Sequence, residues 1–272
     1  MRPLEMPPEG SGISRQFGFR DGDRGAHSAR TMMLGELSHL LDAVPAGSLP
    51  DSYKRACVEG NALGKSTMAN RRNSLRNLTH LYALDESVPL FRILRALWQD
   101  RPSRPLLALL ISLARDPLLR LSAPAVFGLS EGDAADRDIY APALESLGDR
   151  FTPASRKSIA QNFASTWTHA GHVRGVMKKF RARAVATPRT AACAATVAFL
   201  AGLRGVSLME STWLATLDVP PSQAQALLTT AAQAGLIDFK RSGSVVSLIP
   251  RGLLTPPEIA LADQLAHSWS PA

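Results

Sequence analysis

Apolar residues along this chain recur mostly at three- and four-residue spacing, so the pattern predicts a mainly helical protein. Met33, Leu34, Leu37, Leu40 and Leu41 share one helical face within residues 31–43. Asp51 opens a second helix through Val58, which Gly60 and Asn61 close. A third starts at Ser66 or Thr67 and runs to about Leu84, with Leu75, Leu78, Leu81 and Tyr82 turned inward. Lys65, Arg71, Arg72, Asn73, Arg76 and Asn77 lie on its other side. That side reads either as the contact face of a helix-turn-helix or as an ordinary surface. Residues 89–98 are amphipathic, and 106–114 are apolar all round, as befits a central core helix. At the break that follows, Arg115 and Asp116 read either as a buried ion pair or as a helix-end cap. A shorter helix runs through Leu121, an acidic loop covers 130–138, and a short helix covers 139–147.

Residues 153–170 form a longer helix, with Thr152 as N-cap, Pro153 in first position and Gly171 as the stop. Ile159, Phe163, Thr166, Trp167 and Ala170 make its core face. Residues 172–175 and 179–185 then read as two short strands around a basic turn. Alternation in the second puts Lys179, Arg181 and Arg183 on one outward face, with Phe180, Ala182 and Ala184 on the other. Helices over 187–203, 207–217 and 223–234 lead to alternating strands at 236–240 and 245–249. Helices ending in a hairpin thus occur twice. The expected fold class is mainly α, with helix-turn-helix and tandem winged-helix units and two small β-hairpin wings. The expected division is a flexible tail over 1–30, an N-terminal helical domain over 31–149, a C-terminal winged-helix region over 150–254 and a C-terminal tail over 255–272. Removing residues 1–30 is expected to leave the fold intact, because they are rich in Pro, Gly, Arg and Asp and lack an apolar core.

Charge sharpens the picture. The chain has 31 Lys and Arg against 23 Asp and Glu, a net charge of +8, which favours polyanionic partners. No acid occurs between Asp149 and Glu210, a stretch that carries Arg150, Arg156, Lys157, Arg174, Lys178, Lys179, Arg181, Arg183, Arg189 and Arg204. A solvated surface is the plain alternative to a binding strip. At the N-terminal end of the 153–170 helix stand Ser155, Arg156 and Lys157, where a recognition helix touches bases. Gln161 and Asn162 suit adenine, and equally suit capping or solvent. His169 and His172 flank Gly171 and read as hydrogen-bonded structural groups. The second unit's third helix has no basic residue; only Lys240 and Arg241 lie at its hairpin, so a protein-contacting or structural role suits it better. Cys57 and Cys193 are far apart and form no metal or redox pattern, so no metal or cofactor is expected and a reducing cytoplasm is the simple inference. Apolar runs are too short to span a membrane. No P-loop, metal-ligand spacing or nucleophile elbow stands out, which argues against an enzyme.

Several stretches resemble the BREX phage-defence A-component (BrxA-type) family. They are 59–63 with Ser66, Arg71 and Arg72; 81–85; 106–110; 114–120; Gln161-Asn162; 165–168; and Gly171-His172-Val173 with Gly175. The likeness spans roughly residues 31–250. It implies a helical DNA-binding accessory protein of a bacterial anti-phage cluster, working with a methyltransferase and other defence proteins. The leading expectation is therefore non-enzymatic binding of double-stranded DNA. The expected contacts are Lys65, Arg71, Arg72, Arg76, Ser155, Arg156, Lys157, Gln161, Arg174, Lys178, Lys179, Arg181 and Arg183, with the central strip outweighing the 66–76 region. The alternatives are an RNA-binding helical protein, which the scarcity of aromatics among the cations weakens, and an adaptor that docks its basic strip on an acidic partner.

Overall fold

The computed structural model describes residues 3–8 and 11–268. The chain is mainly helical, with two antiparallel sheets of two strands each. The N-terminal half holds α1 (Gly12–Phe17), α2 (Leu34–Ala43), α3 (Pro50–Val58), α4 (Met68–Tyr82), α5 (Pro89–Leu97), α6 (Arg104–Arg115), α7 (Pro117–Phe127) and α8 (Ala141–Glu145). Then come α9 (Pro153–His169) and the hairpin of β1 (Val173–Arg174) and β2 (Phe180–Arg181). Helices α10 (Pro188–Leu200), α11 (Gly205–Met209), α12 (Thr212–Ala215) and α13 (Pro221–Gln233) precede a second hairpin, β3 (Asp238–Ser242) with β4 (Val245–Ile249). Helix α14 (Pro256–Ser268) ends the described chain.

Helix α6 is buried from Leu106 to Arg115, as its unbroken apolar run predicts. It packs against α4, α5, α7 and α10. Helix α10 is rich in alanine, is closed at its start by a Thr187–Thr190 capping box, and is buried from Thr190 to Leu200. It sits on α5 and α6 on one side and on α12 and α13 on the other. One continuous apolar core therefore crosses the expected boundary at residue 150.

Both expected tails belong to this core. Phe17 and Phe19 are buried, and Phe19 meets Trp213 edge-on at 6.5 Å between centroids. Glu5 accepts the backbone N–H of Thr212 at 3.0 Å, and Trp213 Nε1 donates to the Glu5 carbonyl at 2.7 Å. Helix α14 buries Ala262 and Leu265. Few large side chains do this work in the first thirty residues, so average composition reads as a tail. The end of the expected C-terminal tail, residues 269–272, lies outside the described residues.

The deepest anchor of the N-terminal segment is polar. Asp116 is fully buried where α6 passes into α7, and it caps α7 by accepting Leu119 N–H. His27 gives it two more hydrogen bonds, from Nδ1 at 2.9 Å and from the backbone N–H at 3.1 Å. His27 Nε2 is hydrogen-bonded to Thr166 Oγ1 of α9 at 2.9 Å, and Asn162 of α9 donates to the His27 carbonyl. Gly25 passes so close that a Cβ there would lie 1.9 Å from Asp116 Oδ1, so only glycine fits. Of the two open readings, the helix-end cap holds for Asp116, whereas the Arg115–Asp116 ion pair does not form: the partner of Asp116 is His27. Arg115 instead donates to carbonyls of Gly18, Thr79 and His80.

Burial pushes the Asp116 carboxyl up, but the His27 charge and the hydrogen bonds it accepts outweigh this and hold it at about 2. A carboxyl depressed from an ordinary 3.8 stabilises the fold fully above about pH 4, and that contribution is lost as pH falls toward 2. We expect a loss of about 2 kcal/mol across that window from this group, and a flatter profile in His27→Gln. Urea unfolding from about pH 5 to 2.5 measures both. His27→Ala at neutral pH should cost about 3–5 kcal/mol, because the buried carboxylate loses its partner. Deletion of residues 1–30 should cost at least as much, contrary to a tail reading.

Candidate nucleic-acid interface

Two basic surfaces were expected, on α4 and on α9 with its hairpin. In the first, Pro50 starts α3, and Tyr53 and Cys57 face the core. The turn to α4 is closed by Asn61, which accepts Lys65 N–H, and by Arg71, which donates to the carbonyls of Lys65 and Val58. Arg71 is thus a brace of the turn and not an outward contact. Lys65 pairs with Glu36 at 2.9 Å. Thr67 caps α4, one of the two expected positions. The first buried residue of α4 is Ser74, followed by Leu78, Leu81 and Tyr82. Residues 68–73 are exposed or half-buried, and they are held to α3 by Arg71 and by Cys57 Sγ, which donates to the Arg71 carbonyl at 3.5 Å. Arg72 and Arg76 are exposed on this helix, and Arg76 touches only Asn73 Oδ1, at 2.7 Å. No acid lies between Glu59 and Asp85 in the sequence. Arg72, Arg76 and Lys54 rim a groove of about 570 Å³ between α3 and α4.

The second surface differs from expectation in most of its cations. Thr152 caps α9 as predicted, and Ser155 donates its N–H to the Thr152 hydroxyl, so Ser155 belongs to the cap. Arg156 donates to the carbonyls of Phe151 and Gly148 and closes the turn before the helix. Lys157 and Gln161 are exposed. Gln161, Ser165, Thr168 and Lys179 line a polar groove of about 870 Å³ beside the hairpin, together with Arg137, Asp136 and Asp138. His169 is exposed, whereas His172 is buried. Burial holds His172 down at about 4, so it is neutral at pH 7 and Nε2–H donates to the Thr216 carbonyl at 2.9 Å.

In the hairpin, alternation over 179–185 fails. The paired strand is only Phe180–Arg181, and the loop at Ala134 bridges Phe180 on its other edge. Arg181 is the inward residue, 4% exposed, while Phe180 is 39% exposed. The Arg181 guanidinium stacks on Phe127 at 5.5 Å and grips both Asp218 carboxylate oxygens at 2.8 Å. It also donates to the carbonyls of Val126, His172 and Ala182. Arg183 pairs with Glu131 at 2.9 Å and donates to the Asp218 carbonyl. Lys179 donates to Thr168 Oγ1 at 2.9 Å and to the Gly175 carbonyl. Elsewhere in the strip, Arg150 pairs with Asp23 and Arg204 with Asp263. Arg174 and Lys178, at the hairpin tip, are exposed and have no ion pair or hydrogen bond to the described residues.

Sequence reasoning missed the acids that neutralise the strip: Asp23, Glu131, Asp218 and Asp263 come from loops and helices remote in sequence. It also missed the Asp116–His27–Thr166 relay, whose order matches an acid–base–hydroxyl triad. All three side chains are fully buried, and Thr166 Oγ1 also accepts Met32 N–H. The relay is a structural tie with no opening for a substrate. One further signal was present in the sequence and unused, the acid-free run through α4. No protein-family model, curated protein or solved structure matches the chain.

The two kinds of cation predict opposite stability effects. Arg181→Gln should lower unfolding free energy by about 3–5 kcal/mol, since it strands the shielded Asp218 carboxylate. Arg174→Gln and Lys178→Gln should each stay within about 0.5 kcal/mol of the parent protein. Urea denaturation at neutral pH distinguishes them.

Proposed function

We propose that the protein is a non-enzymatic duplex-DNA-binding protein in which α4 enters the major groove. One observation carries this reading: Arg72 and Arg76 lie exposed on α4, on a stretch without acids, and neither makes an ion pair among the described residues. A recognition helix reaches base edges through such exposed side chains. Its side chains suit that task, because Arg pairs with guanine and Asn, here Asn70 and Asn73, with adenine. Lys54 on the neighbouring α3, 3.9 Å from Asp51 and sharing its groove with Glu59, is a further candidate for a phosphate contact.

The α9 surface has a secondary part. Lys157 and the hairpin-tip residues Arg174 and Lys178 are available for phosphates, which positions the protein without reading sequence. Asp136 and Asp138 line the groove beneath the hairpin and repel a phosphate backbone from its floor. Contact there is confined to the tip and the outer face of α9. On this reading α9 with β1–β2, and α10 to α13 with β3–β4, are winged-helix units, and the second, with no cation on α13, serves structure or a protein partner. The likeness to the BREX A-component family extends the proposal to an accessory role in anti-phage defence.

The test is the Arg72→Gln, Arg76→Gln double variant, titrated by fluorescence anisotropy with duplex DNA, single-stranded DNA and RNA over a range of salt. Duplex affinity should fall at least tenfold, and the unfolding midpoint should hold. The salt slope should drop by about one unit for each phosphate that is no longer neutralised. Unchanged duplex affinity overturns the assignment of α4. Preference for RNA or for single strands overturns the duplex.

A further inference from the structure

The tip of the β1–β2 hairpin is built to be presented. Gly175 has φ of +106°, and a Cβ there would fall 2.0 Å from the Lys178 carbonyl oxygen, so glycine alone closes this turn. Lys179 Nζ ties the Gly175 carbonyl to Thr168 of α9. Below it, Arg181 fastens the stem to Val126, His172 and Asp218. On this fixed stem, Val176 and Met177 are 90% and 93% exposed. Single exposed apolar residues need no explanation, but two adjacent ones at the apex of a braced turn are another matter. Arg174 and Lys178 bracket them, both exposed and without partners among the described residues.

We propose that this tip is an intercalating wedge: Val176 and Met177 enter the minor groove of duplex DNA and part a base step, while Arg174 and Lys178 hold the flanking phosphates. The proposal rests on the duplex-binding reading above and adds to it a deformation of the DNA. Charge complementarity selects the occupant. An apolar pair between two cations matches a surface that is apolar inside, where bases stack, and anionic on both rims. Strands in a hairpin lie about 4.8 Å apart, and the minor groove is about 6 Å wide before it is opened. Inserted apolar side chains, methionine among them, unstack a step and bend the duplex by roughly 20–90°. A lipid surface suits the tip less. Interfacial binding draws on a broad apolar face, whereas this apex offers two side chains.

The experiment uses the full chain and a duplex of about 30 base pairs with a donor and an acceptor dye at its ends. Binding of the parent protein should raise energy transfer between the ends. Val176→Ser with Met177→Ser should abolish that rise and weaken affinity about tenfold, with the salt slope unchanged. Arg174→Gln with Lys178→Gln should instead lower the slope by about two units. Thermal melts of both variants should match the parent, since all four side chains are exposed. Duplex binding without bending, or bending that survives the double serine change, overturns the wedge and leaves duplex binding standing. No binding of any duplex by the parent protein overturns both. Binding to phosphatidylserine vesicles that depends on Val176 and Met177, with duplex bending unaffected by them, assigns the tip to a membrane surface and overturns the wedge.

Discussion

A carboxylate removed from water must be compensated in full, and Asp116 is such a carboxylate at the centre of this molecule. Its oxygens accept from the Leu119 N–H at the start of α7 and from both the ring and the backbone of His27. Because His27 also bonds Thr166, satisfying one buried charge fixes three things together: the turn between the central helix and α7, the path of residues 25–32, and the depth of α9. Trp167, one residue along, then meets Ser122 of α7 and stacks edge-on with Phe127 and His172. The first hairpin grows from that aromatic cluster. Its orientation is thus inherited, through a few contacts, from the Asp116 site.

Arginine here is used more for construction than for display. Arg71, Arg115, Arg156 and Arg181 each spend two or more donors on backbone carbonyls at turns and helix ends. The guanidinium, with five donors in a planar fork, can close a turn and pair with a carboxylate at once, as Arg181 does. Net positive charge in the sequence therefore overstates the positive charge available to a ligand. Of the expected contacts, those that remain outward lie on α4, on the outer face of α9 and at the tip of the first hairpin.

Local signals in the sequence located most elements well. Thr152 with Pro153, and Thr67, cap the helices they were read to cap, because an N-cap is decided within four residues. Helix α6 and the second hairpin follow from runs and alternation of the same short range, and the first hairpin was placed correctly although its alternation was not. Legibility ended where the deciding partner is far along the chain. Alternation assigned Arg181 to solvent, yet Asp218 lies 37 residues away and pulls it inward. The first thirty residues looked like a tail because their few anchors, Phe17, Phe19 and His27, are diluted among polar residues, and their partners lie in α7, α9 and α12. Of the candidate contacts, Arg72, Arg76, Lys157, Gln161, Arg174 and Lys178 stay outward; Lys65, Arg71, Ser155, Arg156, Lys179, Arg181 and Arg183 are committed to the protein's own groups.

The His27 contacts also carry a statement about time. His27 bonds Asp116 and Thr166, which follow it by 89 and 139 residues. At a synthesis rate of about 5–20 residues per second, the segment that leaves the ribosome early waits roughly 7–28 s for Thr166 to be made. Until then His27 can meet Asp116 but not α9, so the tie between residues 25–32 and α9 forms only once Thr166 has been made.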